Sequence, residues 1–274
     1  MPIVASGTGG LAVVLGVLLV QGWSTSSAVV FGCNGVSWSL SCEAFFYALF
    51  PILLPMMLRV SRRKLLKSAA GIYAVAAILV IAGVVVSQVT GQAAWNNLVY
   101  TDPLIRLPEF LLGMAAGIAF ADGWRPQIRM ASAVGAFVVF YVVLCLVQAP
   151  GPMLDAVTPL AFVAIVIAAA TADVGGVQSW LTHPWLVYAG QVSFCFYLVQ
   201  KIVIVNVRQI SGGGLATLVS LIGAAAAAVA LHHFVELPMQ RRLRPRTRPC
   251  GGSGRSSNWP PPEGTEIPAL TGAA

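Results

Sequence analysis

Ser39, Glu43 and Tyr47 recur at intervals of four in the stretch NGVSWSLSCEAFFYALFP, residues 34–51. On a helix that spacing draws one polar stripe about 12 Å long. The stripe opens an otherwise apolar run, where an ionisable side chain costs about 2.5–3.5 kcal/mol to insert and so turns toward a protein interior or a wet cavity. No basic residue lies within one turn of Glu43, so its partner has to come from another segment. Two other stretches carry suitable groups. YTDPLIRLPEFLLGMAAG sets Arg106 and Glu109 three apart, an ion-pair spacing, with Pro108 suited to a helix's first turn. GQVSFCFYLVQKIVIV carries Gln200 and Lys201. Carboxylates, a guanidinium, an ammonium and hydroxyls around one region equip a site for proton transfer and charge stabilisation, or for holding a polar solute. Plainer roles use the same residues: Arg106 and Glu109 can simply pair at a helix start, and Lys201 can snorkel to lipid headgroups.

The elements that position these groups are membrane spans. Of the 274 residues 58% are hydrophobic and only 9% charged, with mean hydropathy +0.83; soluble domains carry roughly 25% charged residues. Seven stretches approach the length of a span: Trp38–Leu58, 69–89, 107–121, 130–147, 154–172, 185–205 and 215–235. An eighth, 3–23, either crosses or is re-entrant, and no signal-peptide cleavage pattern marks it for removal. The expected fold is an all-α polytopic transmembrane helix bundle of seven to eight spans over residues 1–240. The tail, 241–274, reads as basic, rich in Pro, Gly and Ser, and disordered.

The net charge of +7 comes from short basic runs between apolar segments, which argues for membrane topology and against a nucleic-acid partner. Arg59, Arg62, Arg63, Lys64 and Lys67 form one run, and Arg241, Arg242, Arg244, Arg246 and Arg248 another. Both are expected on the cytoplasmic side, and six spans separate them, an even number, as that placement requires. Residues 88–106 then face outward, with Glu43 just below the outer surface. Five scattered cysteines show no disulfide or zinc spacing. His232 and His233 have no thiol or carboxylate at ligand spacing, so no metal site is expected.

The three quoted stretches resemble the integral-membrane acyltransferase 3 family, whose members O-acylate glycans, envelope polymers and some antibiotics. NGVSWSLSCEAFFYALFP looks like the family's N-G-x-x-W-S-L-x-x-E-x-x-F-Y-x-x-x-P signature, RLPEFLLGMAAG like its R-x-x-E-F-x-x-G-x-x-x-G helix, GQVSFCFYLVQ like its G-x-x-S-Y-x-x-Y-L-x-H segment, and FVELPMQRRLR like its closing E-x-P element. The resemblance implies a plasma-membrane enzyme that transfers an acyl group, expected to be acetyl, from acyl-CoA to a hydroxyl of a carbohydrate-containing acceptor, with no bound cofactor. It implies Glu43 as the catalytic group, with Asn34, Trp38, Ser39, Ser41, Tyr47, Arg106 and Glu109 lining the substrate site. The chain departs from the pattern in two places. Gln200 stands where the family usually has histidine, and no helix with an arginine and a histidine precedes Trp38. The expectation is an N-terminally incomplete domain with little activity by itself; the residues alone leave open a noncatalytic transporter-like or scaffold bundle.

Overall fold

The computed structural model describes residues 8–91, 99–148, 151–176, 182–210 and 213–243. Residues 244–274 of the expected disordered tail lie outside them. The described chain is all-α: α1 (Thr8–Val17), a 3-10 turn (Gln21–Trp23), α2 (Ser27–Val30), α3 (Trp38–Leu58), α4 (Arg62–Thr90), α5 (Pro103–Ala121), α6 (Met130–Leu146), α7 (Gly151–Val174), α8 (Pro184–Ile210), α9 (Gly213–Leu231), a π-helical turn (His232–Glu236) and α10 (Leu237–Leu243). Five helical segments among the described residues are long and apolar enough to cross a membrane: Trp38–Leu58, Arg62–Thr90, Val99–Ala121, Pro184–Gln209 and Gly213–Leu243. Met130–Leu146 and Thr158–Val174 are apolar and shorter, at the lower limit of the roughly 17–25 residues that span a bilayer. These seven coincide with the seven expected spans. Their outer faces carry large apolar side chains exposed in the isolated chain, such as Ile78, Leu79, Val139 and Val166, as lipid contact requires.

Of the eighth segment, 3–23, the described residues include α1, ten residues that rise about 15 Å. The chain leaves α1 through a left-handed Leu19 (φ 56°) and folds back on α3 as the 3-10 turn. Contact there is close. Gly22 N–H donates to Ser41 Oγ at 3.1 Å, and a Cβ at Gly22 would stand 2.9 Å from Ser41 Cβ and 3.3 Å from the carbonyl oxygens of Thr101 and Trp38. Gly22→Val is therefore expected to pry the turn from α3 at a cost of about 1–3 kcal/mol, read as a lower unfolding temperature in detergent; an unchanged temperature would show that the turn does not bear on the bundle.

The helix start on the Arg106 segment differs from the expected one. Asp102 caps α5, its Oδ1 accepting from Leu104 N at 2.8 Å and Ile105 N at 3.3 Å, and Pro103 takes the first helical position, where a missing N–H costs nothing. Pro108 thus lies inside the helix, one turn beyond the place its sequence suggested.

Packing divides the bundle into two groups. Helices α3 to α7 pack as one, with Met57, Leu65, Ala69, Tyr73, Leu112 and Ala115 as its core; Tyr73 Oη crosses to the Ala156 carbonyl at 2.5 Å. Helices α8 and α9 pack chiefly on each other through Val192, Cys195 and Ala228, where buried Ala224 and Ala228 let the backbones approach. The groups meet where α8 reaches the chain just before α3: Asn34 Nδ2 donates to the Leu198 carbonyl at 2.9 Å, Tyr197 Oη lies 3.0 Å from the Val36 carbonyl and 3.1 Å from Ser39 Oγ, and the Lys201 stem lies against Gly35, within 3.3 Å of where a Cβ would be.

One sequence expectation fails where the middle of α8 meets the π-helical turn. His232 does have a carboxylate at ligand spacing, since Glu236 stands four residues on with Oε2 at 2.8 Å from His232 Nδ1. The fold adds a thiol, Cys195 Sγ, at 3.0 Å from the same oxygen. Sequence spacing hides the thiol because it comes from another helix.

Candidate active site

The first two turns of α3 form the floor of a polar mouth. Ser37 Oγ donates to the Asn34 carbonyl at 2.9 Å and Ser39 Oγ to the Val36 carbonyl at 3.2 Å, so hydroxyls satisfy backbone acceptors where the helix begins. Asn34 Oδ1 accepts from Val36 N at 3.4 Å while its amide group reaches α8. Ser41 is buried behind the 3-10 turn and serves its backbone. Neighbouring Cys42 is buried too, its Sγ 3.6 Å from the Thr101 carbonyl.

Arg106 closes the α5 side. Its Nη1 meets Glu109 Oε1 at 2.7 Å, with 12% and 29% of the two side chains exposed, and its Nε donates to the Tyr100 carbonyl at 2.9 Å. The guanidinium carbon lies 5.8 Å from the centre of the Trp38 ring and 5.4 Å from that of Tyr100, and those rings are 4.7 Å apart. Such a setting suits arginine: a planar fork can be paired along its edge while aromatic faces lie near it.

Glu43 differs from the neighbouring carboxylates, Asp102 and Glu109, which both have partners. It is half-buried, and no described residue gives it a hydrogen bond or an ion pair. It shares a helix face with Ser39, whose hydroxyl is held by Tyr197. A carboxylate kept unpaired in an apolar span is an uncompensated expense unless something else uses it.

The fold thus brings together Asn34, Trp38, Ser39, Ser41, Arg106 and Glu109 around the start of α3, with Glu43 one turn along. Tyr47 does not join them. It is 70% exposed on the outer face of α3, because four-residue steps drift around a 3.6-residue helix and the third member of the stripe rotates away. Gln200 and Lys201 lie beside the mouth on α8, with the Lys201 side chain exposed. Histidine is not available on that helix: His183 lies 14 residues before Tyr197, about 20 Å along α8, at the same end as His233, which contacts Tyr188.

Gln21 was not foreseen. It is 1% exposed, its Nε2 donates to the Ser37 carbonyl at 2.7 Å, and its Oε1 is buried with no partner among the described residues. The only sign in sequence was a glutamine ending an apolar run. A second space lies further down α3, a cavity of about 770 Å³ lined by Phe50, Leu54, Leu58, Met114 and Ile118 with Arg62 and Asp122 at its edge; those two approach to 3.8 Å.

Comparison with known proteins gives two matches. Residues 3–233 match the acyltransferase 3 family model, described as an acyltransferase domain. The chain is also similar to the acyltransferase MdmB of Streptomyces mycarofaciens, 33% identical over 282 residues that cover 93% of this chain and 69% of that protein. No solved structure matches significantly.

Proposed function

Since the chain belongs to the acyltransferase 3 family and is a membrane-embedded transferase of acyl groups other than aminoacyl groups, we propose that it takes the acyl group, acetyl in the simplest case, from acyl-CoA and passes it to a hydroxyl of a carbohydrate-containing acceptor at the plasma membrane. The observation that carries the reading is Glu43, a carboxylate with no partner among the described residues, set one turn into α3 behind a hydroxyl-lined mouth. In this reading Glu43 takes or relays the acceptor's hydroxyl proton as the oxygen attacks the thioester carbonyl. The C–S bond then breaks, and the thiolate of CoA leaves with a proton. Arg106 supplies positive charge near the oxygen that becomes anionic. Polar aromatic and amide groups at the mouth, Trp38, Tyr100 and Asn34, suit a sugar, which offers apolar ring faces as well as hydroxyls.

The donor approaches from the other end of α3. The cavity below the mouth has an apolar wall for an acyl or pantetheine arm and Arg62 at its edge for phosphate. That end carries the basic run from Arg59 to Lys67, and six helices, α4 to α9, separate it from Arg241 and Arg242; both runs then face the cytoplasm, where acyl-CoA is found.

The test is transfer itself. With the leading helices of a complete family member supplied alongside, membranes containing the protein, given acetyl-CoA labelled in the acetyl group and an oligosaccharide or glycosylated acceptor, are expected to yield an alkali-labile labelled ester. Absence of label above membranes without the protein, across acyl-CoA donors and hydroxyl acceptors, would replace this reading with that of a solute-binding bundle.

A further inference from the structure

The cluster between the middle of α8 and the π-helical turn takes no part in the chemistry above. Cys195 is 3% exposed and His232 4%, both facing the seam where α8 packs on α9. With Glu236 they offer one sulfur, one imidazole nitrogen and one carboxylate oxygen, all within 4.8 Å of one another. The carboxylate is held by its other oxygen, Oε1, which accepts from Gln240 Nε2 at 2.9 Å. The imidazole is held by aromatic neighbours, with Tyr188 at 6.3 Å and His233 at 5.4 Å between ring centres. His232 and Glu236 begin and end the π-helical turn, a local widening of the helix that is frequent at functional sites.

We propose that Cys195, His232 and Glu236 bind one divalent transition-metal ion of the Zn²⁺ class. Donor chemistry selects the ion: thiolate and imidazole suit zinc and its neighbours, whereas Mg²⁺ and Ca²⁺ take oxygen shells. Distance permits it. Ligands at about 2.0–2.3 Å from a tetrahedral Zn²⁺ stand about 3.3–3.8 Å from each other, and the separations here run from 2.8 to 4.8 Å. Charge favours it as well. On binding, the Cys195 proton passes to solvent as the S–metal bond forms, the imidazole binds neutral through Nδ1, and thiolate plus carboxylate cancel the two positive charges. A neutral unit suits a seam lined by Val192, Val199 and Leu231. Three protein ligands leave a fourth position for water. Gln240 is the outer partner that orients the ligating carboxylate.

Co²⁺ serves as the probe because its thiolate complexes absorb. The full-length protein, purified in detergent and stripped with chelator, is titrated with Co²⁺ and then with Zn²⁺. Expected are a thiolate-to-cobalt charge-transfer band saturating at one ion per chain, its loss when Zn²⁺ displaces Co²⁺, and a Zn²⁺-dependent rise in unfolding temperature reversed by chelator. Cys195→Ser removes the band, and His232→Ala and Glu236→Gln each weaken binding at least about tenfold, while Cys33→Ser and Cys145→Ser, at exposed free thiols, leave it unchanged. No such band in the wild-type protein would overturn the proposal and leave a hydrogen-bonded thiol, carboxylate and imidazole. A band that survives Cys195→Ser would overturn it equally.

Discussion

Glu43→Gln is expected to lower acyl transfer by about 10²–10⁴-fold, the usual contribution of a positioned proton acceptor, while the protein inserts, accumulates and resists heat at least as well as the parent. The second half follows from what Glu43 lacks. Removing a charge normally endangers a fold because its partner is left buried and alone. Here no described residue partners it, so nothing is stranded, and the neutral amide is easier to hold in an apolar span. The measurement is labelled transfer in membranes with the leading helices of a complete family member supplied, alongside thermal unfolding in detergent. Full activity would make Glu43 an incidental polar group; loss of activity together with loss of fold would make it structural. Either result removes it from the chemistry.

Arg106 shows the opposite pattern. Arg106→Met breaks the 2.7 Å pair with Glu109 and the 2.9 Å bond to the Tyr100 carbonyl, and takes the cation from near the faces of Trp38 and Tyr100. With 12% of the arginine side chain and 29% of the glutamate exposed, the expected loss is about 2–4 kcal/mol, a little under that of a fully buried pair. Transfer falls with it. Arg106→Lys restores the charge but not the fork, so it should recover less than half the loss in unfolding temperature. Full rescue by lysine would reduce the site to a point charge; a Met variant as stable as the parent would show that the aromatic pair stands without it.

The helices could be foreseen because lipid makes them obligatory: a backbone in hydrocarbon must satisfy its own hydrogen bonds, so length and hydropathy locate the spans. Trp38–Leu58 was found to the residue, and Arg106 pairs with Glu109 as an i,i+3 spacing suggests. Boundaries shifted where capping outweighs hydropathy. Asp102 and Pro103 start α5 before its apolar run, and α4 begins at Arg62, since long basic side chains can snorkel to the interface. Period alone placed Tyr47 on the stripe, and its exposure shows how far an i+4 ladder can be trusted over two turns. Gln21, the Tyr197 bridge to Ser39 and the meeting of Cys195 with His232 depend on which helices touch. Hydropathy, nearly uniform around each span, says little about that.

The seam between the two helix groups has a thermodynamic consequence. Among the described residues it is fastened at the mouth by the bonds from Asn34 to Leu198 and from Tyr197 to Val36 and Ser39. Three such bonds at roughly 1 kcal/mol each contribute about 3 kcal/mol to docking of the α8–α9 hairpin, about 150-fold in the equilibrium between docked and open. A seam with few bonds is where partial opening precedes global unfolding, so the hairpin is expected to open as a unit before the α3–α7 group unfolds, and each such excursion would dissolve the wall that Tyr197 and Lys201 give to the mouth. Anything that binds across the seam shifts that equilibrium toward docking by its own differential affinity for the closed arrangement.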